Sequence, residues 1–359
     1  MSVKILILQS TPQCNMNCSY CYLSEKSRMP RSTNDGMSIA TLKKISEVID
    51  NSIIKDLTIN FHAGEPLMLP IDYYKKAIDV LGHRHKYVIQ TNATLINQEW
   101  INFFIDYNIG VGVSIDGPKE IHDAYRQSWN QKSTHALTER GMKLMLKNNF
   151  NFGCITVLTK EVLKNPKKVF TYLAQYTSNI AFNIFETVGN VKNNVDNEYN
   201  QLYKSFYTEL YEIYKKIKKN NLDIRFREFD TLEQYISNEN QHEIFRNQEN
   251  KPLELVTIDL NGNINLFTPE SAGSEFMIDN VKNINTFNDL LFNTKFIELY
   301  KKIFTGVKNC MNECSLYSIC GGGAPGNKLS ENNSLTSTRT EYCNLAIKTL
   351  SDIYVKNYE

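Results

Sequence analysis

The chain has 359 residues, 42% hydrophobic and 11% aromatic, enough to bury a large core without cross-links, as one big domain or one with an appendage. Lys and Arg number 40 against 39 Asp and Glu, so no strong field of either sign steers the protein to nucleic acid or to a membrane surface. The opening "MSVKILILQS" holds an apolar run too short for a signal-peptide core or a membrane span, so the eight cysteines are expected in a reducing cytoplasm, as metal ligands or catalytic thiols rather than disulfides.

In chain order, "KILILQ" (4–9) reads as a first strand, and the loop after it, "TPQCNMNCSYCYLSE", carries Cys14, Cys18 and Cys21. An amphipathic helix at about 38–51 leads to a second strand, "LTINFH" (57–62), which runs into "HAGEP" (62–66). After a helix at about 71–83 comes a third strand, "KYVIQTN" (86–92), ending in "QTNAT". A helix at about 97–107 precedes a fourth, "IGVGVSID" (109–116), ending in "SIDGP". Helices at about 134–148 and 166–176 flank a fifth, "FGCITVL" (152–158), whose Cys154 is expected to be a buried small residue. The sixth, "IAFNIF" (180–185), runs into "NIFETVGN" (183–190) with Glu186. Several helices open on Ser, Thr, Asp or Asn in cap position.

Strict alternation of six strand and helix units implies a parallel sheet with right-handed crossovers, either open or curled into a full or partial barrel. Both forms place the active site at the C-terminal ends of the strands. The cysteines and the Gly-, Asn- and carboxylate-bearing loops follow the apolar runs, as that rule requires. Any one of these loops is also explained by turn formation alone, but several on one rim favour a site. From 195 to 250 the chain is polar and helical; the lysines of "YEIYKKIKKNN" (211–221) are expected on a solvated face, with peptide docking the alternative. "VTIDLNGNINLF" (256–267) predicts a hairpin turning at Asn-Gly, and a helix at about 286–304 leads to the remaining cysteines. The expected organisation is a core at 1–195, a helical bridge at 196–250 and a smaller domain at 251–359.

A structural zinc site needs four protein ligands, usually as two separated pairs. Cys-x3-Cys-x2-Cys offers three thiolates on one short loop, with His62 the only imidazole expected near and more simply read as a packed strand-end residue. Three thiolates on three irons of a four-iron cluster leave the fourth iron open to a small molecule; zinc or redox thiols are the alternative. With Tyr20 just before the last cysteine, this motif resembles that of the radical S-adenosylmethionine (radical SAM) enzymes. The resemblance implies a partial (β/α)6 TIM-type barrel, a [4Fe-4S] cluster on Cys14, Cys18 and Cys21, and S-adenosylmethionine (SAM) chelated to the open iron and split by one electron to a 5'-deoxyadenosyl radical. It places Tyr20 near the adenine. "HAGEP" resembles the Gly-Gly-Glu motif for the cofactor's amino end, with Ala63 in place of the first Gly, which carries over to Gly64 and Glu65. Asn92 and Ser114 match polar positions facing the methionine and ribose, and Arg126 in "HDAYR" a carboxylate clamp. Turn formation and a surface charge are the plain alternatives for Gly64 to Pro66 and for Arg126.

"KNCMNECSLYSICGGGAPGNK" (308–328) and "TEYCN" (340–344) bring Cys310, Cys314, Cys320 and Cys343 together near the end of the sequence. Four thiolates close a site to substrate, and zinc is again the alternative. The spacing resembles the SPASM extension of peptide-modifying radical SAM enzymes, in which seven cysteines hold two auxiliary clusters. Ala324 stands where one further cysteine is expected, and "TIDLNGNINLFTPESAG" (257–273) supplies no other. One auxiliary [4Fe-4S] cluster is therefore expected.

Stretches such as "LQSTPQCNMNCSYCYL", "GVSIDGPKEIHDAYR" and "CGGGAPGNK" are similar to the GRRM and XYE type peptide maturases, including the three-residue cyclophane synthases. That resemblance implies a ribosomally made precursor peptide as substrate and an electron donor such as flavodoxin or ferredoxin. The crosslink would join an aromatic ring to the β-carbon of a nearby residue. A cluster accepts the electron and a carboxylate the proton when the ring regains aromaticity, and Asp116 and Glu186 are the candidate bases. With the cysteine loop so near the start, leader docking is expected on the hairpin or the Lys-rich helix rather than on a separate N-terminal domain. Thioether formation, sulfatase formylglycine maturation and a non-catalytic zinc-stabilised peptide binder are the rival readings.

Overall fold

The structure, a computed structural model, describes residues 3–31, 36–186, 195–237, 247–269 and 275–356. Among the described residues there are ten strands: β1 (Ile5–Leu8), β2 (Thr58–Phe61), β3 (Lys86–Thr91), β4 (Gly110–Ser114), β5 (Gly153–Leu158), β6 (Asn179–Ile184), β7 (Arg225–Phe226), β8 (Leu255–Ile258), β9 (Asn263–Leu266) and β10 (Met277–Asn280). They form one sheet in the order β10-β9-β8-β1-β2-β3-β4-β5-β6-β7. From β1 through β7 every neighbouring pair is parallel. This is the expected α/β partial barrel, and the six strands read from the sequence are β1 to β6.

The strands hold through one strongly apolar face. Leu6, Leu8, Ile59, Phe61, Ile89 and Val113 are all buried, and in β2 to β6 the buried positions alternate with half-buried or exposed ones on the other face, the period-2 pattern of a strand. The helix Ile39–Asn51 starts where the Ser38 side chain accepts from Thr41 N, and it buries Leu42, Ile45, Val48 and Ile49. Each such side chain contributes about 1.5–3 kcal/mol. Asn97 and Asp196 cap Gln98–Asp106 and Asn197–Lys219 in the same way. Asn197–Lys219 turns an aromatic stripe of Tyr199, Tyr203, Phe206, Tyr207, Tyr211 and Tyr214 inward, while several of its lysines lie outward in ion pairs, Lys215 with Glu212 and Lys218 with Glu233.

The expected hairpin is β8 and β9, turning at Asn261 and Gly262, whose φ is +83°. β8 also pairs parallel with β1, Leu6 opposite Val256, so the C-terminal region continues the sheet on the edge opposite β7. The helix expected at 286–304 is displaced. Residues Phe287–Phe292 form a 3-10 turn, Asn293 then caps a new helix through Lys295 N and Phe296 N, and that helix runs Thr294–Glu313. Cys310 therefore lies in a last helical turn, not in a loop. Parts of the predicted segments, 187–190, 238–246 and 270–273, fall outside the described residues. Among the described residues no helix is long and apolar enough to cross a membrane.

Candidate functional site

The loop after β1 is shaped by its backbone partners. Cys14 N donates to Arg28 O (2.8 Å), Asn17 N to Gln127 O (2.7 Å) and Ser19 N to Tyr125 O (3.0 Å). Trp129 Nε1 donates to Cys14 O at 2.8 Å, and the buried Arg28 reaches Met16 O at 3.5 Å with its guanidinium 5.4 Å from the Trp129 ring centre. Neither Arg28 nor Trp129 was signalled by the sequence, because both act across the fold.

Burial pushes the Cys14 thiol well above its ordinary range, with Glu65, Cys18 and Cys21 adding to the effect. Cys18 is pushed up to about 11, chiefly by burial, with Arg126 opposing and Cys21 and Asp116 adding. Neighbouring thiols that oppose one another's ionisation are held as thiolates when positive charge is supplied between them, as iron does. Three soft donors on one loop, each of which a cluster takes on a different iron, fit an iron–sulfur cluster on Cys14, Cys18 and Cys21. A raised thiol pKa leaves less thiolate at a given pH. Two units at Cys18 mean roughly a hundredfold less, partly offset by the greater nucleophilicity of a more basic thiolate. Alkylation of Cys18 in the iron-free protein at pH 8 is expected about tenfold slower than for an ordinary cysteine thiol, rising with pH towards 11; mass spectrometry of the trapped peptide measures it.

The "HAGEP" loop after β2 packs under the approach to the cysteines. Glu65 N donates to Gln13 O at 2.7 Å. Gly64 has φ +71°, and a Cβ there would lie 2.4 Å from Thr11 O and 2.7 Å from Gln13 O. Ala63 also has positive φ, +74°, and is buried. At Ala63 the strain of about 1–2 kcal/mol is offset by its buried methyl, about 0.8 kcal/mol, and by the unfolded-state entropy that glycine would add, about 0.4–1 kcal/mol. Ala63→Gly is therefore expected to change stability by less than about 1 kcal/mol. Gly64→Ala is expected to cost about 2–4 kcal/mol, from strain plus overpacking, and to impair iron uptake; thermal unfolding and iron assay of the two variants check the contrast.

Glu65 is buried and accepts from Leu67 N (3.0 Å), Thr91 Oγ1 (2.7 Å) and Asn92 N (2.7 Å). Burial raises its pKa against the pull of these hydrogen bonds. Asn92 Nδ2 donates to Asn15 Oδ1 at 2.9 Å, and Asn15 Nδ2 to Thr94 Oγ1 at 2.8 Å, so the end of β3 is tied to the cysteine loop. At the end of β4, Ser114 Oγ accepts from Gln90 Nε2 at 2.9 Å. Gln90 lies where a Cβ on Gly112 would stand 2.1 Å from its Oε1, so that glycine makes room for the contact.

Asp116 is fully buried and ties three elements together. Its Oδ2 accepts from Tyr20 Oη (2.6 Å) and Arg126 Nε (3.0 Å), and its Oδ1 from Val157 N (3.0 Å). The Arg126 guanidinium lies 5.2 Å from the Tyr20 ring centre. Burial works against the charge on Arg126, and Asp116, Tyr20 and Cys18 more than offset it. Among the described residues the two terminal nitrogens of Arg126 make no hydrogen bond, although its Nε is engaged. Burial also raises the Tyr20 phenol, which keeps it a donor to Asp116.

Glu186 lies just beyond β6 and accepts from Asn327 Nδ2 at 2.8 Å. It lines a cavity of about 420 Å3 together with Phe185, Arg339, Glu341, Tyr342 and Asn344, between the end of β6 and the segment that carries Cys343. Cys310 lies in the last turn of a helix whose C-cap is Cys314, Cys320 ends the short helix Tyr317–Cys320, and Cys343 opens a π-helical segment, Cys343–Thr349. Burial raises Cys320, against hydrogen bonds from Gly322 N and Gly323 N, with Cys310 and Cys314 adding to it. Cys343 is pushed up to about 11 by burial and by Cys320. These four thiols therefore lie within one another's electrostatic reach. Ala324 caps the helix Pro325–Asn332 without supplying a ligand. Cys154 is buried within β5, and burial pushes it up to about 12.

A profile of the radical SAM superfamily matches residues 8–173. An uncharacterized protein of Synechocystis sp. is 30% identical over 370 residues, covering 98% of this chain and 91% of that one. The serine-type anaerobic sulfatase-maturating enzyme of Bacteroides thetaiotaomicron is 33% identical over 169 residues, 45% of this chain and 41% of its own length, so that match spans less than half of either protein. Among solved structures, native anSMEcpe with bound AdoMet and a bound peptide has a TM-score of 0.84 at 21% identity, covering 99% of this chain and 97% of that one. Streptococcus suis SuiB bound to precursor peptide SuiA has a TM-score of 0.69 at 18% identity, covering 96% and 77%. At these identities the two structures speak for the fold.

Proposed function

Because this chain belongs to the radical SAM superfamily, we propose that it modifies a ribosomally made precursor peptide by forming a carbon–carbon crosslink between an aromatic ring and the β-carbon of a nearby residue. The observation that carries the reading is the rim itself. The cysteine loop interlocks with the ends of β2, β3 and β4 through Glu65, Asn92 and Asp116, and Glu186 beyond β6 faces a cavity walled by residues on either side of Cys343.

When bound, a three-thiolate cluster with SAM supplies a carbon radical able to take hydrogen from substrate. Cys14, Cys18 and Cys21 would hold that cluster, and Gly64 lets "HAGEP" pass close beneath the loop. Arg126 would offer its terminal nitrogens to the cofactor carboxylate, with Tyr20 set beside the adenine and fixed by Asp116. Glu65, Asn92 and Ser114 would line the same face. Of the two candidate bases, Glu186 faces a cavity, so we assign it the proton leaving the ring. The engaged oxygens of Asp116 suit it to positioning. Cys310, Cys314, Cys320 and Cys343 would hold one auxiliary cluster to take the accompanying electron.

The second reading is sulfatase maturation, favoured by the 33% identity to the Bacteroides enzyme over the core and opposed by the alanine at position 324. Crosslinking and serine oxidation to formylglycine both remove two hydrogens, so mass alone does not separate them. Anaerobic coexpression with precursor peptides encoded beside the gene is expected to give a product two hydrogens lighter per ring, with deoxyadenosine formed and no aldehyde captured by a hydrazine. Aldehyde capture would favour the second reading. An unaltered peptide alongside active cluster would count against the crosslink.

A further inference from the structure

Lys328 is buried, at 4% exposure, which for lysine demands compensating partners. Its Nζ donates to Gly306 O at 3.0 Å and to Cys310 Sγ at 3.4 Å. Room for the amino group is made by Gly306, where a Cβ would stand 3.1 Å from Nζ and 2.2 Å from Leu335 O. Cys310 Sγ also lies 3.6 Å from Gly322 O and 3.7 Å from Thr338 O. A protonated thiol can donate to those carbonyls. A metal-bound thiolate cannot, and the two carbonyl dipoles then oppose its charge, leaving the ammonium as the compensating group.

We propose that Lys328 is a positioning residue for the C-terminal cluster: through a charge-assisted hydrogen bond to the Cys310 sulfur it stabilises the reduced, more negative cluster and raises its reduction potential. The inference rests on reading the four C-terminal cysteines as cluster ligands. It gives that centre the property an electron acceptor needs, since hydrogen bonds to cluster sulfurs and local charge set the potential. The only redox event is the gain of one electron by the cluster, supplied in the test by a chemical reductant.

Lys328→Met keeps the apolar stem and removes both charge and donor, whereas Lys328→Gln keeps a neutral donor. An anaerobic redox titration of the full-length reconstituted protein, followed by EPR, reads both clusters in one sample, with the N-terminal cluster as reference. In Lys328→Met the reduced-to-oxidised ratio of the C-terminal cluster at fixed potential is expected to fall on the order of tenfold, about 59 mV for one electron, and in Lys328→Gln by less. An unchanged potential in Lys328→Met carrying its full iron overturns the proposal and leaves the cluster assignment standing. If neither variant retains that iron, the wild type decides: with 15N-labelled lysine, pulsed EPR must show a lysine nitrogen coupled to the reduced C-terminal cluster, and its absence overturns the proposal. A wild-type protein with no C-terminal cluster removes the functional reading and this inference together.

Discussion

Cys18→Ala is expected to abolish deoxyadenosine formation from SAM, to the background of the assay, while the protein stays folded. Iron–sulfur chemistry at this position demands soft ligands, and alanine supplies none. Losing a half-buried thiol whose pKa is pushed up to about 11 does not leave an unpaired charge, so the fold survives. Iron per chain is expected to fall from about eight to about four, because the C-terminal cluster remains. Anaerobic iron and sulfide assays with quantified deoxyadenosine check both halves of this expectation. Variants of Cys14 and Cys21 should behave alike, whereas Cys154→Ala, inside β5, should keep its iron.

The second large effect concerns stability. Arg126→Met is expected to cost about 3–5 kcal/mol, because the fully buried Asp116 carboxyl would lose the guanidinium that compensates it. Asp116→Ala should cost as much for the reverse reason, with Tyr20 and Val157 also losing their acceptor. The double variant Asp116→Ala, Arg126→Met should cost less than the two single changes summed, since no orphaned charge is left. Denaturant unfolding under anaerobic conditions measures the cycle. Additive costs would mean that the pair, at 3.0 Å, is not coupled as its geometry requires.

The six parallel strands were legible because each apolar run is bounded by turn residues and followed by a helix with the opposite periodicity. The same logic located the rim, since a parallel sheet exposes the C-terminal ends of its strands. What escaped the sequence was non-local. β7 has two residues, Arg225–Phe226, too few for a pattern, and it exists because β6 offers it an edge. The place of β8 beside β1 depends on contacts some 250 residues apart along the chain. The break at Asn293 came from a side chain capping its own downstream helix, a local signal weaker than the apolar run around it.

At the site, the cysteines were readable from spacing, but the groups that shape their loop were not. Arg28 resembles a surface residue in "LSEKSR" until Trp129 closes over it. Gln90 and Gly112 look like ordinary strand residues until β3 and β4 are paired and the missing Cβ proves to accommodate the amide. Lys328, in "GNK", reads as a solvated charge, and its burial follows from the close approach of the turn at Leu335 to Gly306 in the helix Thr294–Glu313.

The open iron corner is tested most directly by electron–nuclear double resonance on the reduced protein with SAM labelled at its methionyl nitrogen and carboxylate. Coupling of both labels to the N-terminal cluster is the predicted result. A fully protein-ligated centre there, or one showing no coupling to either label, would contradict it.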